Sequence, residues 1–133
     1  MEHMDLLDVP RLGILITSKQ DGSPIGVPIW FDWDGTAIRF FTTRGSKKMK
    51  RLASNPKASL LVTNNVGEPE GWVCFDGEVT IKDQGGIELA EKLAGVYWDL
   101  DDEVYAKRLE SWKESAAIFT LLEMVPTNIR SGS

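Results

Sequence analysis

The chain has 133 residues, and its 15 Lys and Arg against 20 Asp and Glu give a formal net charge of -5. This acidic balance excludes a domain that binds nucleic acid over its whole surface, because phosphate backbones select basic surfaces. No apolar run reaches the roughly 20 residues of a membrane span, and the N-terminus has no apolar signal core. We therefore expect a cytoplasmic protein in which residues 1–133 form one domain.

The chain contains one cysteine, Cys74, and one histidine, His3. A single cysteine excludes an intrachain disulfide, and these two residues are too few for a structural zinc site, so we expect no bound metal. The position of His3 leaves no Ser-His-Asp constellation. Cys74 lies between Val73 and Phe75, which favours a small buried side chain over a nucleophile. The sequence thus identifies no catalytic side chain.

The first third of the chain predicts three strands separated by turns. The continuous apolar run of Leu12–Ser18 predicts a strand that is buried on both faces. Ile25–Trp33 predicts a second strand. Because Pro28 within it cannot donate a hydrogen bond to a sheet, we place this proline at an edge or a bulge. Asp34-Gly35 predicts a hairpin, after which Thr36–Thr42 returns as the third strand.

The segment Phe40–Pro56 combines a strand end, a turn and a helix start. Ser46 is a suitable N-cap for the helix that follows. A strand that runs through a Gly-containing turn into a helix directs free backbone N–H groups at one place, where the helix dipole favours an anion. Arg44, Lys47 and Lys48 add positive charge there. The segment therefore predicts a phosphate-binding site.

The same segment is basic within an acidic chain. No Asp or Glu occurs between Gly35 and Gly67. The Lys and Arg residues of this region are Arg39, Arg44, Lys47, Lys48, Lys50, Arg51 and Lys57. A solvated helix face and a site for a local anionic ligand both fit this charge pattern. The charge alone does not separate them, and the placement at a strand–turn–helix junction favours the ligand.

The second half of the chain predicts two further strands, two helices and a last strand. Gly77 predicts a bulge or a bend within its strand, and Pro126 is predicted to end the last strand. The segments are strands over Lys57–Thr63, Trp72–Lys82 and Ala116–Val125, and helices over Asp83–Gly95 and Asp99–Trp112. Six strands, with one helix after the third strand and two before the last, predict a mainly β fold with α-helices, built as a small closed antiparallel barrel.

Four tryptophans are candidates to border a ligand, and they are Trp30, Trp72, Trp98 and Trp112. Packing in the core or against a second subunit is the alternative for each of them. Trp30 is the strongest candidate because it lies close to Pro28.

Several short segments, none of them specific alone, occur in an informative order and spacing over roughly residues 12–126. They are Thr17 with Asp21-Gly22-Ser23-Pro24, Val27-Pro28-Ile29-Trp30-Phe31, Thr42-Thr43, Ser46-Lys47-Lys48 with Leu52, Asn55-Pro56, Ser59-Leu60-Leu61-Val62, and Gly77 before Glu78-Val79. Together they resemble the pyridoxamine 5'-phosphate oxidase-like family of flavin-binding split barrels. The resemblance implies a six-stranded antiparallel split β-barrel that forms a homodimer, with two cofactor sites at the subunit interface.

The resemblance implies that the cofactor is FMN, with the deazaflavin F420 as the alternative found in some branches. Residues along the isoalloxazine ring would be Val27, Pro28, Ile29 and Trp30. The remaining cofactor-binding residues, which include those that hold the ribityl phosphate, would be Phe41, Thr42, Thr43, Arg44, Ser46, Lys47 and Lys48.

The function implied by the resemblance is an oxidoreductase that transfers a hydride between the flavin and a small-molecule substrate. An F420-dependent reductase and a non-catalytic flavin-binding or redox-sensing protein stay open, and haem binding is a weaker alternative. Pyridoxamine phosphate oxidases themselves are longer and carry an Arg- and Trp-bearing C-terminal segment. We therefore do not expect pyridoxamine phosphate as the substrate.

Overall fold

Seven antiparallel strands form one sheet in the computed structural model of the protein, which describes residues 1–133. The strands are β1 (Gly13–Ser18), β2 (Pro24–Ile29), β3 (Asp32–Trp33), β4 (Ile38–Thr43), β5 (Lys57–Thr63), β6 (Trp72–Lys82) and β7 (Phe119–Gly132). The helices are α1 (Lys47–Ser54), α2 (Gly86–Tyr97) and α3 (Glu103–Glu114), with short 3₁₀ turns at Met4–Asp8 and Ala116–Ile118. Across the sheet the strands follow the order β2-β1-β5-β6-β7-β4-β3.

The sheet has seven strands and not the predicted six, because the predicted strand Ile25–Trp33 is interrupted at Trp30-Phe31. Its first part, β2, pairs with β1, and its second part, β3, pairs with β4 at the opposite edge of the sheet. As a consequence α1 follows the fourth strand and not the third. The two sheet edges are joined by the chain without a hydrogen-bonded ladder between them, so the sheet is an open, curled half-barrel and not a closed barrel.

Several predicted features are confirmed. The fold is mainly β, with one helix in the middle of the chain and two before the last strand. Pro28 lies on β2, which is an edge strand, so its missing N–H leaves no gap in a central ladder.

Gly77 lies at a bulge between β6 and β7, as predicted, and the bulge explains why Pro126 does not end the last strand. Gly77 pairs with Pro126 while Asp76 pairs with Asn128, so one residue of β7 has no partner. A bulge tolerates a proline, which has no N–H to donate. β7 therefore continues well beyond the proline.

The core lies on the inner face of the curled sheet. On β1 only alternate residues are buried, and Ile14 and Ile16 are half-buried on the other face. The prediction that this strand is buried on both faces is therefore wrong, because only one face of β1 is buried. Core side chains without measurable exposure include Leu15, Ile38, Phe40, Leu60, Phe75, Leu122 and Met124. Burial of each contributes about 1.5–3 kcal/mol, which stabilises the curl.

α2 lies on the outer face of the sheet over β4 and β7, and α3 packs on α2. Four apolar side chains of α2 are buried, whereas no residue of α3 is. Both helices begin later than predicted. α3 begins after Asp102, because this carboxylate accepts a hydrogen bond from the Val104 N–H at 2.9 Å and so caps the helix. None of the helices combines the length and apolar character that crossing a membrane requires.

The start of α2 depends on the absence of a side chain at Gly86. A Cβ there would clash with the carbonyl oxygen of Phe119 and would lie 2.7 Å from the backbone nitrogen of Thr120. Neither backbone atom can move without distorting β7. We predict that Gly86→Ala lowers the free energy of unfolding by about 1–3 kcal/mol, the usual cost of overpacking.

Gly95→Ala is the matched control, because nothing lies within 4 Å of a Cβ at this position of the same helix. Helix propensity predicts that this change is neutral or stabilising by up to about 1 kcal/mol. Urea unfolding measures both variants, and equal effects would contradict the close contact at Gly86.

Candidate functional site

The interruption between β2 and β3 turns Trp30 away from the core. Its neighbours Ile29 and Phe31 are both buried in the core cluster. Because successive side chains of an extended chain point to opposite faces, the Trp30 indole lies on the outer side, with α2 and α3. It stacks on Tyr97, with ring centroids 5.1 Å apart and planes 4° from parallel, and meets Trp98 edge-on at 4.9 Å.

Trp30 belongs to a group of seven aromatic rings that we call the aromatic cluster. Its members are Trp30, Phe41, Tyr97, Trp98, Tyr105, Trp112 and Phe119. Trp112 lies at its centre, with centroid distances between 4.8 and 6.1 Å to Trp30, Phe41, Trp98 and Phe119. Trp72, the other tryptophan singled out from the sequence, lies at the far end of β6, where it pairs with Thr63 and Gly132.

Two adjoining hollows open beside the aromatic cluster. The apolar hollow has a volume of about 340 Å³ and is lined by Leu12, Pro28, Ile29, Trp30, Phe41, Lys48, Trp98 and Trp112. The polar hollow has a volume of about 430 Å³ and is lined by Phe41, Thr42, Thr43, Lys48, Ser111, Trp112, Ser115, Ile118 and Phe119. The side chains that belong to both walls are Phe41, Lys48 and Trp112.

Most of the residues predicted to bind a cofactor come together at these hollows. Those that line them are Pro28, Ile29, Trp30, Phe41, Thr42, Thr43 and Lys48. Val27 instead packs against the core, and Lys47 is exposed to solvent. Arg44 donates from Nε to the carbonyl oxygen of Ala117 at 2.9 Å. Ser46 acts as a helix cap.

The cap at Ser46 is confirmed and joins β4 to α1. Its Oγ accepts a hydrogen bond from the Met49 N–H at 3.1 Å and another from the Thr42 hydroxyl at 2.9 Å. Thr120 of β7 pairs with Thr42, and its buried hydroxyl oxygen has no hydrogen-bond partner. The hydroxyl groups of Thr42 and Ser46 therefore lie at the first N–H groups of α1, beside the polar hollow. This setting suits an anion.

Most cations of the basic segment have no acidic partner. Between Gly35 and Gly67, only Arg39 forms salt bridges, and its partners are Asp34 and Glu123. No carboxylate oxygen lies within 4.0 Å of the others, which are Arg44, Lys47, Lys48, Lys50, Arg51 and Lys57. In a chain with an acidic excess, this leaves a local positive potential beside the hollows.

Lys48 is the one cation of this segment that lines the two hollows. Burial lowers the pKa of its ammonium group below the ordinary value of 10.5, and the nearby charge of Arg51 lowers it further. The charged form of Lys48 is thus less stable in the free protein than it is in water. An anion bound in either hollow would favour that charged form and be held by it.

The Tyr97 hydroxyl contacts the backbone at the place where the predicted second strand is interrupted. It donates a hydrogen bond to the carbonyl oxygen of Arg11 at 2.7 Å and lies 3.4 Å from both the backbone N and O of Phe31. Burial raises the pKa of this phenol above its ordinary value, so it stays a neutral donor. The ring and hydroxyl of Tyr97 together fix the place of Trp30.

A larger hollow, of about 700 Å³, lies over β1, β5, β6 and β7, away from the aromatic cluster. Its charged lining residues are Lys57, Asp76, Glu78 and Glu123. Arg130 donates to Asp76 at 2.7 Å and lowers the pKa of that carboxyl to about 2, which keeps it ionised. Asp76 and Glu123 are already paired with cations, and the remaining charges of this wall are one carboxylate, Glu78, and one ammonium group, Lys57. This wall therefore lacks the cationic excess that a phosphate requires.

The fold and the site define a class of protein, an open split barrel in which an aromatic hollow adjoins a cationic helix start. The sequence profile of the family described as "Pyridoxamine 5'-phosphate oxidase" matches residues 1–131. The chain therefore belongs to the pyridoxamine 5'-phosphate oxidase family, as its resemblance implied. No curated protein matches the chain.

Solved structures share this fold over nearly the whole chain. An F420 reductase is 23% identical with a TM-score of 0.76, and the match covers 98% of this chain and 97% of that one. A putative pyridoxamine 5'-phosphate oxidase from Listeria innocua is 16% identical with a TM-score of 0.70, covering 96% and 93%. A FAD-binding protein from Mesorhizobium loti is 22% identical with a TM-score of 0.64, covering 98% and 91%. At these identities the likeness establishes the fold.

The role of the Tyr97 hydroxyl yields a prediction for stability. Tyr97→Phe removes the hydrogen bond to the backbone carbonyl oxygen of Arg11. This change is expected to lower the free energy of unfolding by about 0.5–1.5 kcal/mol. Tyr105→Phe is the matched control, because the Tyr105 hydroxyl has no hydrogen-bond partner in the protein. Chemical unfolding followed by tryptophan fluorescence measures both. A loss of stability in the control as large as that in Tyr97→Phe would contradict this role.

Proposed function

We propose that this protein binds FMN and acts as a flavin-dependent oxidoreductase on a small-molecule substrate. The flavin ring would occupy the apolar hollow, and the phosphate would lie at the polar hollow beside the start of α1. The observation that carries the proposal is Lys48, a half-buried cation without an acidic partner in the wall that both hollows share. F420 is the alternative cofactor, because it also joins a planar tricyclic ring to a phosphate.

The lining residues fit such a molecule. Pro28, Trp30 and Phe41 offer apolar and aromatic surface to a planar ring. Thr43 offers a hydroxyl hydrogen to a phosphate, whereas Thr42 offers one only if it releases Ser46. Lys48 offers a charge-assisted hydrogen bond.

The remaining predicted residues would act from the margin of the site. Val27 offers the backbone of an edge strand, Ser46 fixes the helix start, and Lys47 adds charge from solvent. Arg44 donates from Nε to the carbonyl oxygen of Ala117, and its Nη groups would offer further donors to a phosphate.

The hollows contain little acid–base chemistry of their own. Lys48 is the single titratable side chain among the residues that line them, which otherwise carry hydroxyl, apolar or aromatic groups. A bound flavin supplies hydride transfer, so the protein needs to supply binding, orientation and exclusion of water. The side chains that line the hollows are suited to this binding and orientation.

The comparisons support a flavin-type ligand without deciding which one. The F420 reductase and the FAD-binding protein are named for cofactors that contain this kind of ring. Haem is less well supported, because His3, the only imidazole, lies against Gly71 and lines neither hollow.

We also propose that the protein is a homodimer, in which a second copy covers the outer face of β1, β5 and β6. Ile14 and Leu61 are half-buried in the single chain and lie side by side there as an apolar pair across two strands, beside the buried Cys74 of the third. Leu61→Lys places a charge in that pair and is expected to convert a dimer into a monomer of 14.8 kDa. Val66→Lys, in a fully exposed loop, is the control. Sedimentation equilibrium measures both, and a monomeric wild-type protein would refute the dimer.

The cofactor proposal is tested by titrating the purified protein with FMN, and separately with F420, while following absorbance and flavin fluorescence. We expect Lys48→Met to weaken binding by about 10- to 100-fold, because a hydrogen bond to a charged group contributes about 1.5–3 kcal/mol. Lys50→Met, an exposed position on the same helix, is expected to bind within about twofold of wild type. Unchanged affinity in Lys48→Met would defeat the assignment. Turnover with NAD(P)H then separates an enzyme from a protein that only stores or senses flavin.

The lowered pKa of Lys48 gives this prediction a pH signature. Affinity for FMN should fall as the pH rises through that pKa, because the neutral amine no longer attracts the phosphate. In the window between the lowered pKa and 10.5, the unfolded chain binds more protons at Lys48 than the folded one. The free wild-type protein therefore gains stability relative to Lys48→Met as the pH rises through this window. The variant should show neither effect.

A further inference from the structure

We propose that Trp112 determines which ligands the site accepts, because its indole is the movable partition between the apolar and the polar hollow. This inference rests on the proposed function. A ligand that is only a ring fits the apolar hollow with Trp112 in place. A ligand that joins a ring to a phosphate must reach both hollows and must displace the indole.

The partition consists of three side chains, and they differ in how firmly they are held. Phe41 is fixed on β4, in the middle of the ladder with β7. Lys48 extends from α1, which Leu52 anchors in the core. Trp112 belongs to α3, a helix with no buried residue. The partition therefore opens most easily at Trp112.

Aromatic side chains make the contacts between α3 and the residues that line the hollows. Trp112 touches Trp30, Phe41, Trp98 and Phe119, and Tyr105 stacks on Trp98 with centroids 5.1 Å apart. The salt bridges of α3, Glu103–Lys107 and Glu110–Lys113, both lie within the helix. No ion pair or side-chain hydrogen bond ties α3 to the sheet, so non-directional contacts, which are its packing on α2 and its aromatic contacts, hold it over the hollows.

The segment after α3 is linked to the predicted phosphate-binding turn. The Arg44 backbone N–H donates to the carbonyl oxygen of Ile118 at 2.8 Å, and its guanidinium Nε donates to that of Ala117 at 2.9 Å. Arg44 does not line the polar hollow, so a phosphate that draws its side chain into the hollow would lengthen or break the hydrogen bond to Ala117. Occupation of the polar hollow would then loosen the C-terminal attachment of the helix that carries Trp112.

The consequence is a difference in association rate between two probes. FMN carries the ring and the phosphate, and lumiflavin carries the ring alone. If the open position of Trp112 is a minor state of about 10% or less, FMN association in the wild type is slowed by at least about tenfold. Trp112→Ala removes the partition and is expected to accelerate FMN association by that factor. Lumiflavin association does not require the partition to open, so it should be accelerated by a much smaller factor.

Stopped-flow fluorescence on the full chain measures both probes in the wild type, Trp112→Ala and Trp112→Phe. Trp72→Phe is the matched control, because this tryptophan lies outside the aromatic cluster. Trp112→Phe keeps a ring in the aromatic cluster, so it should increase the FMN association rate less than Trp112→Ala does. If the wild type binds F420 and not FMN, the pair becomes F420 and its phosphate-free ring-and-ribityl fragment.

Hydrogen exchange on the ligand-free protein gives a second readout that also holds if Trp112→Ala fails to fold. The amides of α3 should exchange faster than those of α2, whose apolar face is buried. Equal exchange in the two helices would overturn the proposal, as would equal acceleration of both probes, or of neither, in Trp112→Ala. If no cofactor binds either protein, the proposed function fails and the role of Trp112 falls with it. If FMN binds but the ratio of the FMN to the lumiflavin association rate is the same in the wild type and in Trp112→Ala, only the role of Trp112 fails.

Discussion

The interruption of the second predicted strand at Trp30-Phe31 is the constraint on which the site depends. It sends β2 to one edge of the sheet and β3 to the other, and it leaves Ile29 and Phe31 inside the core while Trp30 points outward. The buried neighbours fix the direction of the indole, and the stacked ring of Tyr97 fixes its plane. The aromatic cluster and the apolar hollow form around this one residue, so the site is a product of how the barrel splits.

The placement of charged residues in the basic segment is a second constraint. A cation without an acidic partner is less favourable in the free protein and is available to bind an anionic ligand. Arg39 is neutralised by two carboxylates and holds the β3–β4–β7 edge together. The other cations of the basic segment have no such partners, and Lys48 is half-buried at a cost that its lowered pKa records. An acidic chain could readily supply a partner carboxylate at this place. Its absence is understandable if the partner is a ligand, because a resident carboxylate would repel a phosphate.

Features encoded by neighbouring residues could be predicted from the sequence, and features encoded by distant contacts could not. The Ser46 cap, the edge position of Pro28 and the bulge at Gly77 follow from the backbone chemistry of single residues. The strand interruption does not, because it depends on pairing with two strands at opposite edges of the sheet. The aromatic cluster was equally hidden, since the sequence identified Trp30, Trp98 and Trp112 without any periodicity that shows them meeting. The termination expected at Pro126 is wrong because the bulge in β7 opposite Gly77 accommodates the missing N–H.

The pairing of β4 has a consequence for when the site comes into existence. Phe41, Thr42 and Thr43 form their ladder with Leu121, Thr120 and Phe119, which come much later in the chain. Without β7, β4 has only the two residues of β3 as a neighbouring strand, and a two-stranded ribbon is marginal in water. Both hollows therefore lack a wall until β7 has docked. A ligand that needs this wall cannot act as a template for the pairing of β4, because its site forms only when that pairing is complete.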